Sequence, residues 1–225
     1  MNKQSEKFTL AGGAGNMECV LDAPADAAGD GGGAGDAAPR GIALIAHPHP
    51  LYGGTMDNKV AQTLARTFVG LGYVAVRFNF RGVGASEGVH DDGLGETDDM
   101  ALMLAHMRAR FPGLPVALAG FSFGTFVQAR LQQRLLAEGG LSDGGPAERL
   151  VLIGAAAGKW PMPDVPFDTI LIHGEVDDTI TLTQVLDWAR PQDIPVIVIP
   201  GADHFFHRKL GHIKQLVTQL WRHAA

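Results

Sequence analysis

Three residue types at separated positions could together perform nucleophilic acyl chemistry. Ser122 is the centre of Gly120-Phe121-Ser122-Phe123-Gly124, and Asp177 and His204 follow it in the chain. A serine hydroxyl attacks a carbonyl only when a base takes its proton, and the base needs an acid to orient it. His204, in Pro200-Gly201-Ala202-Asp203-His204, is the base, with His207 as second choice. Asp177, in His173-Gly174-Glu175-Val176-Asp177-Asp178, is the acid, and Asp178 is left to cap the turn. The backbone N–H of Phe123 is one donor to the oxyanion. A second is expected from the loop His47–Gly54, where Pro48 and Pro50 have no N–H to give; His49, Leu51 and Tyr52 remain, and His49 is preferred.

These residues need elements that bring them to one place. Val116–Ala119 reads as a buried strand, and Thr125–Leu135 carries apolar residues at helical spacing. The serine therefore sits in a strand-to-helix turn, where glycines on either side give the backbone room. Other apolar runs read as strands: Gly41–Ala46, Tyr73–Phe80, Arg149–Gly154, Thr169–Gly174 and Pro195–Pro200. Helices are expected over Lys59–Leu71, Glu96–Arg110, Leu182–Ala189 and Lys209–His223, and two short strands over Lys7–Leu10 and Met17–Leu21. Alternation of this kind predicts an α/β fold, a mostly parallel central sheet with helices on both faces. Asp177 and His204 both follow strands, as the sheet edge bearing Ser122 requires.

Composition sets further bounds. A chain of 225 residues, 46% of them hydrophobic, is expected to form one domain with a sizeable core. Pro24–Pro39 is nearly all Gly, Ala and Asp and is expected to be a mobile loop. A formal charge of −6 and a pI near 5.8 argue against nucleic-acid binding. The single cysteine, Cys19, excludes an internal disulfide and fits a reducing compartment. The N-terminus lacks the pattern of a secretory signal, and no apolar run is long enough to span a bilayer. A cytoplasmic protein with no membrane or nucleic-acid partner, monomeric or homodimeric, is the expectation. No cofactor is expected either. Gly82–Gly88 misses the dinucleotide fingerprint, with Glu87 where the third glycine belongs, and Gly154–Trp160 is one residue short of a phosphate loop. Histidines come in the pairs His47/His49 and His204/His207; Phe205 and Phe206 stand between the latter with no glutamate as in a zinc helix, pairs in loops at strand ends read as hydrogen-bonding anchors, and no metal is expected.

The stretches His47–Gly54, Arg77–Gly88, Gly120–Gly124, His173–Asp177 and Gly201–His204 together resemble the α/β-hydrolase superfamily. More narrowly they resemble the small bacterial hydrolases related to the dienelactone hydrolase group. The resemblance implies Ser122, Asp177 and His204 as a catalytic triad. Dienelactone hydrolase itself has a cysteine nucleophile where this chain has serine, so its substrate does not carry over. The interval between Ile153 and Thr169 is too short for a cap domain. A lidless, open cleft follows, with Tyr52, Phe123, Trp160 and Met162 as expected apolar walls. The expected substrate is a small-molecule ester or thioester with a short acyl chain, cleaved through an acyl-enzyme. Loss of activity below roughly pH 6–7 is expected as the base protonates. A peptidase or amidase, and a non-catalytic binding protein on the same scaffold, are the alternatives.

Overall fold

A computed structural model describes residues 5–24, 38–138 and 145–222. The core is one eight-stranded sheet, in the spatial order β1-β2-β4-β3-β5-β6-β7-β8. Its strands are β1 (Ser5–Gly12), β2 (Gly15–Asp22), β3 (Gly41–Ala46), β4 (Tyr73–Phe78), β5 (Val116–Phe121), β6 (Arg149–Ile153), β7 (Ile170–Gly174) and β8 (Val196–Ile199). β1 and β2 form an antiparallel hairpin, and β2 joins β4 antiparallel; every later pairing is parallel. Among the described residues the α-helices are α1 (Lys59–Gly70), α2 (Leu94–Arg110), α3 (Phe123–Ala137), α4 (Leu182–Ala189) and α5 (Leu210–Arg222).

Side-chain alternation along the strands feeds two separate apolar layers. In β3, Ile42, Leu44 and Ala46 belong to the layer that also holds residues of α2, α3 and α4, whereas Ala43 and Ile45 belong to the layer that holds residues of α1 and α5. The same alternation runs through β5, where Val116 and Leu118 meet the first layer and Ala117, Ala119 and Phe121 the second. All six residues of β3, β4 and β5 are buried, because helices cover both faces of the sheet. This is the doubly covered parallel sheet that the sequence predicts.

Strand order places the site. From β3 the chain goes to β4 on one side, then returns across β3 to β5 on the other. The loops after β3 and β5 therefore leave in opposite directions, and a crevice opens between them at the carboxyl ends of the strands. Ala46 pairs with Gly120, Phe121 with Ile153, and Gly174 with Ile199, so the loops carrying His49, Ser122, Asp177 and His204 rise from one edge. No cap is inserted after β6; the chain passes from Ile153 to β7 with a few turns around Trp160. No helix among the described residues is long and apolar enough to cross a membrane.

Several boundaries differ from the sequence reading. The hairpin strands run to Gly12 and from Gly15, longer than the expected Lys7–Leu10 and Met17–Leu21, and leave a tight two-residue turn. Helix α2 begins at Leu94 instead of Glu96, behind Gly93 in a left-handed conformation with φ of 88°. Glu96 is then the third helical residue and bonds back to the Gly93 N–H at 2.9 Å. It is a buried cap and not a solvated first-turn charge. Most of the Gly/Ala/Asp-rich stretch 24–39 lies outside the described residues. Cys19 is buried in β2, and burial pushes its thiol up to about 12, so it is an inert core side chain.

Candidate active site

Ser122 stands between the end of β5 and the start of α3, with φ 53° and ψ −124°. Few residues other than glycine occupy such backbone, and it persists because the surroundings fix it. The Ser122 N–H donates to Ile153 O on β6 at 3.0 Å. The Thr125 hydroxyl donates to Ser122 O and accepts from Ala156 N, tying the turn to the β6 loop. A Cβ on Gly120 would lie 2.5 Å from Gly124 O, and one on Gly124 would lie 2.5 Å from Ala46 O. Both flanking glycines are thus required by neighbouring backbone, one inside the turn and one against β3.

His204 Nε2 lies 3.0 Å from Ser122 Oγ, and its Nδ1 lies 2.7 Å from Asp177 Oδ2. A carboxylate only accepts, so Nδ1 carries the proton toward Asp177 and Nε2 is left to accept from the serine hydroxyl. All three residues are buried, Ser122 most accessible of them at 8%. The other Asp177 oxygen accepts from the Thr179 and Ile180 N–H groups at 2.9 and 2.8 Å. Asp177 therefore caps its own turn, the part expected of Asp178, and this fixes the carboxylate with one oxygen facing His204. Beneath it, buried His173 donates from Nε2 to Ile180 O at 2.9 Å and closes the same turn. Burial lowers the His173 pKa, which keeps that ring neutral beside Asp177. A Cβ on Gly174 would meet Ala202 O at 2.5 Å, so the acid and base loops pack backbone to backbone. His207, the second candidate base, is exposed and bound to Asp203 through Nδ1 at 2.6 Å.

The cleft above Ser122 has a volume of about 540 Å³. His49, Phe123, Trp160, Ile180 and Phe205 form its walls, and Lys159 is the charged residue at its margin. Tyr52 is 86% exposed and stands on the rim more than in the wall. Met162 is not among the residues lining the cleft; it packs against the core layer that α2, α3 and α4 share. Phe123 occupies the first position of α3, where backbone N–H groups are free of intrahelical partners and the helix dipole favours negative charge. The other expected donor, His49, opens the one-turn 3₁₀ helix Pro50–Tyr52 on the facing side of the cleft. Among the described residues there is no group of three or more His, Cys, Asp or Glu that could hold a metal ion.

A family model described as serine aminopeptidase, S33, matches residues 37–171. The lidless α/β serine hydrolase XC6422 of Xanthomonas campestris is 33% identical, with 99% of this chain and 95% of that chain covered and a TM-score of 0.84. The chain belongs to the α/β serine hydrolases. The hydrolase is also similar to an α/β serine hydrolase homologue from Coxiella burnetii, at 30% identity, 97% and 98% coverage and a TM-score of 0.78. A third relative, the uncharacterized protein RP471 of Rickettsia prowazekii (strain Madrid E), is 33% identical over 185 residues, 79% of this chain and 76% of that one. The family match includes Ser122 and ends before Asp177 and His204. Nothing in these likenesses singles out dienelactone hydrolase.

The hydrolase also holds groups near the cleft that the sequence reading passed over. His90 and Glu96 form a buried pair with Nδ1 and Oε1 2.8 Å apart, and the His90 ring lies 4.7 Å from that of His49. His47, read from the sequence as a loop residue and as half of a histidine pair, is fully buried; Nδ1 donates to Pro48 O at 2.6 Å, and Nε2 accepts from the Phe80 N–H at 2.9 Å. Both nitrogens are engaged in the neutral form, and protonation would set two N–H groups against each other. Burial accordingly pushes this imidazole down to about 3. The unfolded chain takes up a proton near the ordinary histidine value of 6.5, whereas the folded chain takes it up only near 3. Stability is therefore fully present above the unfolded value and falls as pH drops through that window. His49 and His173, also lowered, act with the same sign. Thermal unfolding scanned from about pH 6.5 to about pH 5, above most carboxylate titration, should show Tm dropping by roughly 3–5 °C per pH unit for one such histidine. A flat Tm across that interval would contradict a neutral buried His47.

Proposed function

We propose that the protein hydrolyses small carboxylic esters or thioesters through an acyl-enzyme on Ser122. The observation that carries this reading is the unbroken hydrogen-bonded chain from Asp177 through His204 to the Ser122 hydroxyl, at the floor of an open, mostly apolar cleft. Ser122 Oγ attacks the acyl carbon as His204 Nε2 takes its proton. The imidazolium that forms is stabilised by Asp177, and the oxyanion by the Phe123 N–H with a donor from the His49 loop. His204 then returns the proton to the departing alkoxide or thiolate. A water, deprotonated by the same nitrogen, attacks the acyl group and releases the acid.

The family description raises a second reading, removal of N-terminal amino acids. An aminopeptidase must hold a substrate ammonium, and carboxylates do this best. No aspartate or glutamate lines the cleft among the described residues, and the charged side chain it does present is Lys159. This favours a neutral or anionic ester over a free amino terminus. The test is a panel of para-nitrophenyl esters, acetate through octanoate, run beside alanine and leucine para-nitroanilides. Turnover of the shorter esters, with little on the anilides, is the expected result. Faster turnover of the anilides would replace this reading with the peptidase. No turnover of either, with Ser122 unlabelled by a fluorophosphonate, would point to a binding protein.

A further inference from the structure

The His49 side chain is built into the cleft in a defined protonation form. Its Nδ1 accepts a hydrogen bond from Leu51 N at 3.2 Å, the cap of the turn Pro50–Tyr52. A ring nitrogen that accepts is bare, so the proton of the neutral ring is on Nε2. The half-buried ring lines the cleft with Ser122 and His204. It is held among Tyr52 and His90, both at 4.7 Å between ring centroids, Phe123 at 4.9 Å and Trp160 at 5.5 Å. His90 behind it is fixed in turn. Its Nδ1 donates to fully buried Glu96, which also accepts from the Asp91 and Gly93 N–H groups at 3.0 and 2.9 Å. The residual His90 Nε2 is buried without a hydrogen-bond partner, 3.4 Å from Asp92 Oδ1. A carboxylate–imidazole pair of this kind, packed beneath a half-exposed histidine, is a costly arrangement for a turn that needs only a cap.

We propose that the His49 imidazole is a catalytic hydrogen-bond donor, its Nε2–H serving the oxygen on which negative charge develops, with His90 and Glu96 as positioning residues for the ring. The proposal rests on the ester-hydrolase reading and adds a side-chain donor to the backbone donors expected there. Burial and the neighbouring His90 disfavour charge on His49, while Glu96 and Asp92 oppose this; the balance lowers its pKa and keeps the donor neutral.

Two substitutions separate this role from turn capping. In His49→Asn the amide oxygen takes the place of Nδ1 and can still accept from Leu51 N, but nothing reaches the place of Nε2. In His49→Gln the amide nitrogen reaches about as far as Nε2, while the cap acceptor is lost. With para-nitrophenyl butyrate, His49→Asn should lose roughly 10²-fold in kcat, the effect of deleting one oxyanion donor, with much smaller change in KM. His49→Gln should exceed it at least severalfold. If His49 only caps the turn, the order reverses, and Asn at or above Gln overturns the proposal alone, provided the wild type hydrolyses the ester and is labelled at Ser122. Absence of both turnover and labelling in the wild type overturns the ester reading and this proposal together. Should neither variant fold, nitrogen NMR of the isotopically labelled wild type decides: a His49 Nε2–H signal that shifts when a fluorophosphonate adduct forms on Ser122 supports the proposal, and an unmoved signal, or a proton on Nδ1, overturns it.

Discussion

Ser122→Ala should lower kcat toward para-nitrophenyl esters by roughly 10⁴–10⁶-fold, the range seen when a triad nucleophile is removed. No acyl-enzyme can form without Oγ, and what remains is the water reaction assisted by the oxyanion donors. The substitution should do little to the fold. Alanine keeps the Cβ and therefore the same cost at φ 53°, and the backbone bonds to Ile153 and from Thr125 do not involve the hydroxyl. The checks are steady-state kinetics and a Tm close to that of the wild type, with fluorophosphonate mass shift on the wild type alone. Retention of more than about a hundredth of the activity would place the nucleophile elsewhere.

Asp177→Asn should cost about 10⁴-fold in kcat through a different route, the histidine tautomer. Asparagine can keep its oxygen on the Thr179 and Ile180 N–H groups, so the turn is retained. Its amide nitrogen must then face His204 Nδ1, 2.7 Å away in the native protein. An N–H aimed at Nδ1 makes that nitrogen the acceptor and moves the ring proton to Nε2, where it meets Ser122 Oγ. The base can no longer take the serine proton. The decisive comparison is with Asp178→Asn: the native Asp178 carboxylate accepts from the Thr179 hydroxyl at 3.4 Å and makes no bond to His204, so that variant should stay within a few-fold of wild type. Equal losses at the two positions would remove the distinction drawn here.

Much of this architecture could be read from the chain because the signals are local. Each parallel strand is a short apolar run, and each loop at the functional edge follows its strand directly, so Ser122, Asp177 and His204 announce their positions by what precedes them. The residues that were misread or missed depend on contacts between distant segments. Met162 looks like cleft lining beside Trp160, but which side of a loop faces a core has no period to reveal it. Glu96 marks the expected start of its helix, but the helix begins at Leu94, and the left-handed Gly93 before it has no hydrophobic signature. The approach of His90 to His49 joins loops after two different strands, β3 and β4, and only the folded sheet brings them together. Asp177 and Asp178 are chemically alike; the choice between capping and orienting is made by the turn, which lets one carboxylate do both.

The backbone at Ser122 has a consequence for how such a protein changes over generations. Its angles are close to the mirror image of ordinary extended chain, which glycine adopts freely and serine only at a cost of roughly 1–3 kcal/mol. Ser122→Gly would relieve this strain, and it is the same replacement that deletes the proposed nucleophile. A lineage relieved of the need to hydrolyse its substrate would gain stability by losing this serine, and a lineage that retains it pays in stability for as long as the reaction is useful.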